Sequence, residues 1–222
     1  MEALNENREY EIVIQNKHIT MDKLKEKIKS VGGEIVQEEK VFFHFSYQHP
    51  YKKNKDFIRL RNEGKHITLT YKIHNHKFPI EHEVVVNDFN SANQIINLLG
   101  CKKKYECHKL REIWKLEGCK EIVFDTYPGI ETYAELECNS KEDIISSLER
   151  LELDTDISKY ERLFASQYYE DMYGIISNSK EKLSFKTAYN VLLEKATRNQ
   201  DILKERLDVV NEKHKEQINL LE

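Results

Sequence analysis

No stretch of this chain approaches the roughly 20 apolar residues that a membrane-spanning helix requires. Its first residues, Met1-Glu2-Ala3-Leu4-Asn5-Glu6-Asn7-Arg8, lack the hydrophobic core of an export signal. Neither sign of charge dominates. Charged residues make up 33% of the chain, yet the net charge is only -4, which argues against a simple basic nucleic-acid binder and against an acidic tail. Cys101, Cys107, Cys119 and Cys138 show no C-x-x-C spacing, so they read as reduced thiols of a cytoplasmic protein. His74 and His76 lack a matching pair elsewhere and read as loop residues rather than zinc ligands. What is present is 222 residues with 39% hydrophobic content, enough for one medium domain with a real core and an appendage.

Most of the apolar residues fall at strand spacing. Tyr10, Ile12 and Ile14 alternate with Glu9, Glu11, Val13 and Gln15. Met21, Leu24, Ile28 and Val31 then recur at helical spacing, closed by Gly32-Gly33. Strands are expected around Val41–Phe45, at Asp56–Arg61 and His66–Lys72 joined by an Asn62–Lys65 hairpin turn, and from Ile80 to Val86. A helix at about Ser91–Leu99 precedes strands at Lys104–Leu116 and Cys119–Asp125 and a Pro128-Gly129 turn. Helices are expected from about Lys141 and from about Ile157 to Tyr173. This order indicates an α+β fold with a large, mainly antiparallel sheet.

The strand after Pro128-Gly129 sends Glu131, Tyr133, Glu135 and Glu137 to one face, and Thr132, Ala134, Leu136 and Cys138 to the other. Carboxylates on alternate strand residues repel each other and need cations opposite them. Other strands supply them. Arg59, Arg61, Lys72, Lys109 and Arg111 lie on the polar faces, along with Glu11, Glu81, Glu83 and Asp125. An ordinary half-exposed sheet with cross-strand ion pairs accounts for any one strand. Repetition on every strand favours a sheet closed into a barrel with its charges inward, since surface ion pairs contribute little stability. Paired carboxylates are hard donors suited to Mg2+ or Mn2+, and arginines and lysines suit phosphate oxygens.

Arg59-Leu60-Arg61, Leu69-Thr70-Tyr71-Lys72, Glu81-His82-Glu83, Lys109-Leu110-Arg111, Phe124-Asp125 and Glu135-Leu136-Glu137 occur in an order and spacing that resembles the CYTH superfamily over about residues 9–173. These are the triphosphate tunnel metalloenzymes, among them class IV adenylyl cyclases and thiamine triphosphatases. The resemblance implies an eight-stranded antiparallel β-barrel, a tunnel flanked by helices, over residues 1–174. Within it, Arg59, Arg61, Lys72, Lys109 and Arg111 would clamp a triphosphate, and Glu11, Glu81, Glu83, Glu135 and Glu137 would hold Mg2+ or Mn2+. Glu11, Glu135, Glu137 and Lys72 would then carry the chemistry. The chain departs from the family at the first-strand Glu-x-Glu-x-Lys signature, whose positions here are Glu11, Val13 and Gln15 in the preferred register, or Glu9, Glu11 and Val13 in one shifted by two residues; in either the lysine is missing. Three functions remain open: hydrolysis of an inorganic, nucleoside or organic triphosphate, cyclisation of ATP to cyclic AMP, and a weakened module that binds a nucleotide, polyphosphate or RNA 5'-triphosphate.

Ser177-Asn178-Ser179 reads as a linker to an extension at residues 175–222. From Ser184 onward this extension has no Gly or Pro and should be helical. Leu192, Ala196, Leu203, Leu207, Val210, Ile218 and Leu221 trace its apolar stripe. A helix packed on its own domain is the first reading and a short coiled-coil homodimer the second. On either reading its removal should leave ligand affinity intact.

Overall fold

The computed structural model describes residues 8–51, 56–74, 78–160, 165–176 and 182–220. The chain runs β1 (Tyr10–Ile14), α1 (Met21–Ser30), β2 (Glu34–Gln48), β3 (Phe57–Asn62), β4 (Ile67–Ile73), β5 (Ile80–Val86), α2 (Phe89–Leu98), β6 (Lys102–Lys115), β7 (Cys119–Thr126) and β8 (Tyr133–Cys138). It continues with α3 (Lys141–Arg150), a 3-10 turn (Ile157–Lys159), α4 (Ala165–Tyr173), β9 (Lys182–Leu183), α5 (Phe185–Lys195), α6 (Gln200–Lys213) and α7 (Lys215–Leu220).

Eight strands pair antiparallel in the order β1-β8-β7-β6-β2-β3-β4-β5, and the short β9 adds parallel to β6. The sheet curls until its two edges touch. Arg8 bridges Ile80, and the Glu9 amide donates to the Pro79 carbonyl at 2.9 Å. The result is the expected α+β fold, with the sheet as a half-barrel closed at one corner.

The outer face of the curl is apolar. Ile12, Ile14, Ile122, Phe124, Ala134 and Leu136 pack under Leu24 and Ile28 of α1 and Ile144 and Leu148 of α3. Ala92 and Ile96 of α2 cover Tyr47 and Leu60. α2 and α3 begin where side chains satisfy free amides: Asp88 accepts from Ser91 N at 2.6 Å, and Ser140 Oγ from Asp143 N at 3.0 Å. With the odd-numbered residues of β1 and β8 thus turned away from the helices, the charged residues must face the lumen.

Several expectations change in detail. β2 is 15 residues long, far more than its apolar centre suggested, and its pairing with β6 is interrupted by register shifts near Gln37. The single helix expected from Ile157 to Tyr173 is a 3-10 turn and α4, with 161–164 outside the described residues. The expected linker at 177–179 and Leu221 of the stripe also lie outside them. The reduced-thiol reading holds for Cys101 and Cys107 but not for the other pair: Cys119 and Cys138 stand opposite each other on β7 and β8 and form a disulfide. Disulfides mark oxidising compartments, so the cysteines no longer argue for the cytoplasm. No described helix is long and apolar enough to cross a membrane.

The C-terminal helices pack on the barrel rather than standing apart. Leu192, Leu203 and Leu207 are buried with Ile130, Tyr169 and Tyr173 around the β7–β8 turn. Phe185 and Ile218 cover Val41 and Leu110 on the outer face of β2 and β6. Gln217 accepts from the Val41 amide at 3.0 Å, and Lys213 and His214 both reach Glu39, at 2.6 and 2.9 Å.

Candidate functional site

The curl encloses a cavity of about 970 Å³. All ten residues proposed from the sequence line it: Glu11, Arg59, Arg61, Lys72, Glu81, Glu83, Lys109, Arg111, Glu135 and Glu137. Strand register explains why. His44, Arg61 and Thr68 form one cross-strand row, Ser46, Arg59, Thr70 and Glu83 another, and Phe57, Lys72 and Glu81 a third. Directly opposed residues share a face, so these rows all point inward.

Each cation already faces a carboxylate. Asp125, fully buried, accepts from Arg111 Nε at 2.7 Å, from Arg111 Nη2 at 2.6 Å and from Lys109 Nζ at 2.7 Å. Burial works against the Asp125 charge, but Arg111 and Lys109 hold its carboxyl well below the usual range. Arg111 also donates to Glu135 at 3.2 Å. Arg59 donates to Glu81 at 3.1 Å, while Glu83 accepts from Thr70 at 2.7 Å and lies 3.8 Å from Arg61. Lys72 is paired with Glu9 and lies 3.2 Å from Glu81. Burial, and then the neighbouring Arg111, pushes the Lys109 ammonium down to about 8 against the pull of Asp125. Burial together with Arg59 and Arg111 brings Arg61 down to about 10.

The carboxylates gather across the first and last strands. Glu11 stands opposite Glu137, and Glu137 opposite Glu121, in one row over β1, β8 and β7. Val13 faces Glu135 in the next row. Like charges set directly opposite each other destabilise a sheet unless a cation lies between them. Lys120 Nζ, 2.9 Å from Glu137, supplies part of that charge. Burial first, and Glu137 among its neighbours, pushes the Glu121 carboxyl up. The row therefore fits a hard divalent cation in donor chemistry. Among the described residues no three metal-binding side chains converge on one point.

Some participants were not singled out from the sequence. Glu9 is buried against Lys72, and burial, then Glu11, pushes its carboxyl up. Glu121 shares a strand face with Asp125, a signal present in the alternation, but only the register reveals its place beside Glu137. His44, 3% exposed, and Tyr127 and Tyr133 also line the cavity. So do Leu183, Leu192 and Lys195, so the extension is part of the cavity wall.

Opposed carboxylates and buried arginines therefore line the inside of one curled antiparallel sheet. Residues 7–182 match the model of the CYTH domain, and the chain belongs to the CYTH family. A Methanocaldococcus jannaschii protein named "putative adenylate cyclase" is 26% identical over 172 residues, covering 72% of this chain and 97% of that one. Among solved structures, a conserved hypothetical protein of Pyrococcus furiosus superposes with a TM-score of 0.56 at 23% identity, covering 70% of this chain and 97% of the other. A Vibrio parahaemolyticus protein titled a "putative adenylate cyclase" superposes with a TM-score of 0.61 at 14% identity, covering 72% of this chain and 97% of the other. These structures establish the shared fold. Helices α5–α7 lie beyond the matched domain.

Proposed function

We propose that the tunnel binds a triphosphate together with a divalent cation and hydrolyses one of its phosphoanhydride bonds. The observation that carries this reading is the inward convergence of Arg59, Arg61, Lys72, Lys109 and Arg111 within one cavity that also holds the carboxylate row. Arginine forks can take two phosphate oxygens each, and buried cations strengthen such bonds. Because these cations are already neutralised by carboxylates, a polyanionic ligand needs further positive charge to enter. Mg2+ or Mn2+ on Glu11, Glu137 and Glu121, with Glu135, Glu81 and Glu83 alongside, would supply it and polarise the phosphoryl oxygens.

In this reading Asp125 fixes Lys109 and Arg111 so that they hold the phosphate chain in line. Lys72 and Arg59 face the charge that develops on the oxygens as water adds to phosphorus and the bridging P–O bond breaks. A lumen carboxylate takes the proton of the water.

Cyclisation of ATP is the second reading, favoured by the name of the Methanocaldococcus jannaschii relative. There the ribose hydroxyl attacks in place of water. Retention without turnover is the third, motivated by Val13 on β1 and Gln15 just after it.

The test is incubation with tripolyphosphate, ATP, thiamine triphosphate and 5'-triphosphorylated RNA, each with Mg2+ or Mn2+, with products separated chromatographically. Orthophosphate release is expected, and cyclic AMP would replace hydrolysis by cyclisation. Glu11→Gln with Glu137→Gln should lower metal-dependent turnover by at least about 100-fold, given the several kcal/mol that metal assistance supplies. Unchanged turnover would remove the carboxylate row from the chemistry.

A further inference from the structure

On the outer face of the barrel, α2 buries Ala92 and Ile96 but leaves Ile95, Leu98 and Leu99 in solvent. Their i, i+3 and i+4 spacing puts the three on one flank of the helix. Leu98 is 87% exposed and Leu99 68%. Leu99 also lines, with Ile58, Leu69, Tyr71 and Val84, a groove of about 450 Å³ between α2 and the strands β3–β5. Glu81 and Glu83 border this groove, but their carboxylates bond Arg59 and Thr70. Rings carry the patch further. Tyr71 meets His49 edge-on at 6.1 Å, and His49 meets Tyr51, 89% exposed, at 5.9 Å. Single exposed apolar residues are ordinary, whereas a contiguous group of them marks an interaction surface.

Charge indicates the kind of partner. Leu98-Leu99-Gly100-Cys101 runs directly into Lys102-Lys103-Lys104. The β2–β6 register sets Tyr47 opposite Lys103 and Gln48 opposite Lys102, and Pro50 lies against Gly100, so the ends of the two strands share this surface. No Asp or Glu occurs from His44 to Lys55 or from Ser91 to Tyr105, although the chain as a whole is negative. Lys102 is exposed, and Lys104 lines the cavity. Lys103 stacks its ammonium 4.2 Å from the Phe45 ring centre and pairs with Glu106 at 3.1 Å. Exposed leucines with lysines beside them suit an acidic lipid surface. The apolar tips enter the headgroup layer while the long lysine stems carry their charge to the phosphates. A nucleic acid would engage the lysines and leave the leucines in water. A second copy, docked patch to patch about a two-fold axis, would bring two lysine clusters together.

We infer that this end of the barrel docks on the surface of a membrane containing anionic phospholipid, with Leu98, Leu99 and Tyr51 in the headgroup layer and Lys102 and Lys103 against the lipid phosphates. The inference does not depend on what the tunnel binds. Docking of this kind is peripheral and needs no spanning helix, and it falls away as salt screens the lysines.

Co-sedimentation of the intact chain with vesicles tests it, using phosphatidylcholine alone and equal parts phosphatidylcholine and phosphatidylserine. Partitioning onto the mixed vesicles should exceed that onto phosphatidylcholine by about tenfold or more. Lys102→Gln with Lys103→Gln should remove about tenfold of it. Leu98→Gln with Leu99→Gln should remove a similar factor and leave the thermal transition in place. Leu98→Gln alone, at the more exposed position, carries the test if the double variant does not fold. Equal binding to both vesicles, binding to neither, or full binding by the leucine variants overturns the inference. So does tight binding of single-stranded polyuridylate in place of vesicles, which would make the patch a nucleic-acid surface. A dimer in sedimentation velocity that the leucine variants convert to monomer would also overturn it, by assigning the patch to a second copy.

Discussion

Lys109 sits where the clamp meets Tyr127. Asp125, Arg111, Arg61 and Glu135 act on it within the lumen, and Tyr127 and His44 border it. Burial sets its ammonium near pH 8, so its charge is present at neutral pH and lost as the pH rises through that value. A charge-assisted bond to phosphate is worth about 1.5–3 kcal/mol, so the dissociation constant for tripolyphosphate should rise about five- to tenfold between pH 7 and 9. Lys109→Met should bind more weakly at pH 7 and show little of that rise. A variant that keeps the full slope would place the titrating group elsewhere, with Glu9 the next to examine because its carboxyl is also pushed up. At this scale the charged residues themselves were readable from alternation along each strand. Glu121 and His44 were not, because nothing in either strand alone says what stands beside it. Glu121 acquires meaning from the row it shares with Glu137 and Glu11, and His44 from an unsatisfied atom that only packing creates.

Among the elements, the β7–β8 turn links the sheet to the extension. Tyr127-Pro128-Gly129-Ile130 closes with the Ile130 amide donating to the Tyr127 carbonyl at 3.0 Å, and Gly129 has φ +73°. That is the geometry of a type II turn, with Pro first and a residue of positive φ second. Tyr169 donates to the Pro128 carbonyl at 2.7 Å and Tyr173 to the Gly129 carbonyl, so α4 is bonded to the turn's backbone. A Cβ at Gly129 would also run into Leu203 of α6. Gly129→Ala combines the left-handed penalty with overpacking and should cost about 2–4 kcal/mol, read as a lower urea midpoint at unchanged slope. Loss below about 0.5 kcal/mol would mean that the turn and α6 can separate freely. The Pro-Gly turn was legible because its chemistry is local. β9 and the full length of β2 were not: two residues cannot show a pattern, and the N-terminal end of β2 carries Glu34, Gln37, Glu38 and Glu39, which break the apolar alternation. The cross-strand disulfide was likewise hidden, since Cys119 and Cys138 come opposite each other only through the β7–β8 register.

Across the whole molecule, the extension does two things at once. Phe185, Val210 and Ile218 shield Val41 and Leu110 on the outside of the sheet, and Leu192 reaches the cavity wall at the turn end. Its sequence showed a broken apolar stripe, consistent with packing on its own domain, but not where on the barrel that stripe would land. Three helices, separated by a break at Ala196–Asn199 and interrupted at His214, can follow the curve of the barrel as one straight helix could not. Leu192, Leu203 and Leu207 are essentially fully buried, and at about 2 kcal/mol each their contribution alone is comparable to the ~5–15 kcal/mol net stability of a domain. Deleting residues 177–222 therefore uncovers Ile130, Tyr169, Tyr173, Val41 and Leu110 together. The truncated chain should lose its cooperative thermal transition and bind a hydrophobic dye, and added tripolyphosphate should not restore the transition. If instead it melts cooperatively and binds tripolyphosphate as the full chain does, the tunnel folds by itself. In that case α5–α7 would be a cover over the cavity wall that the sheet does not need in order to fold.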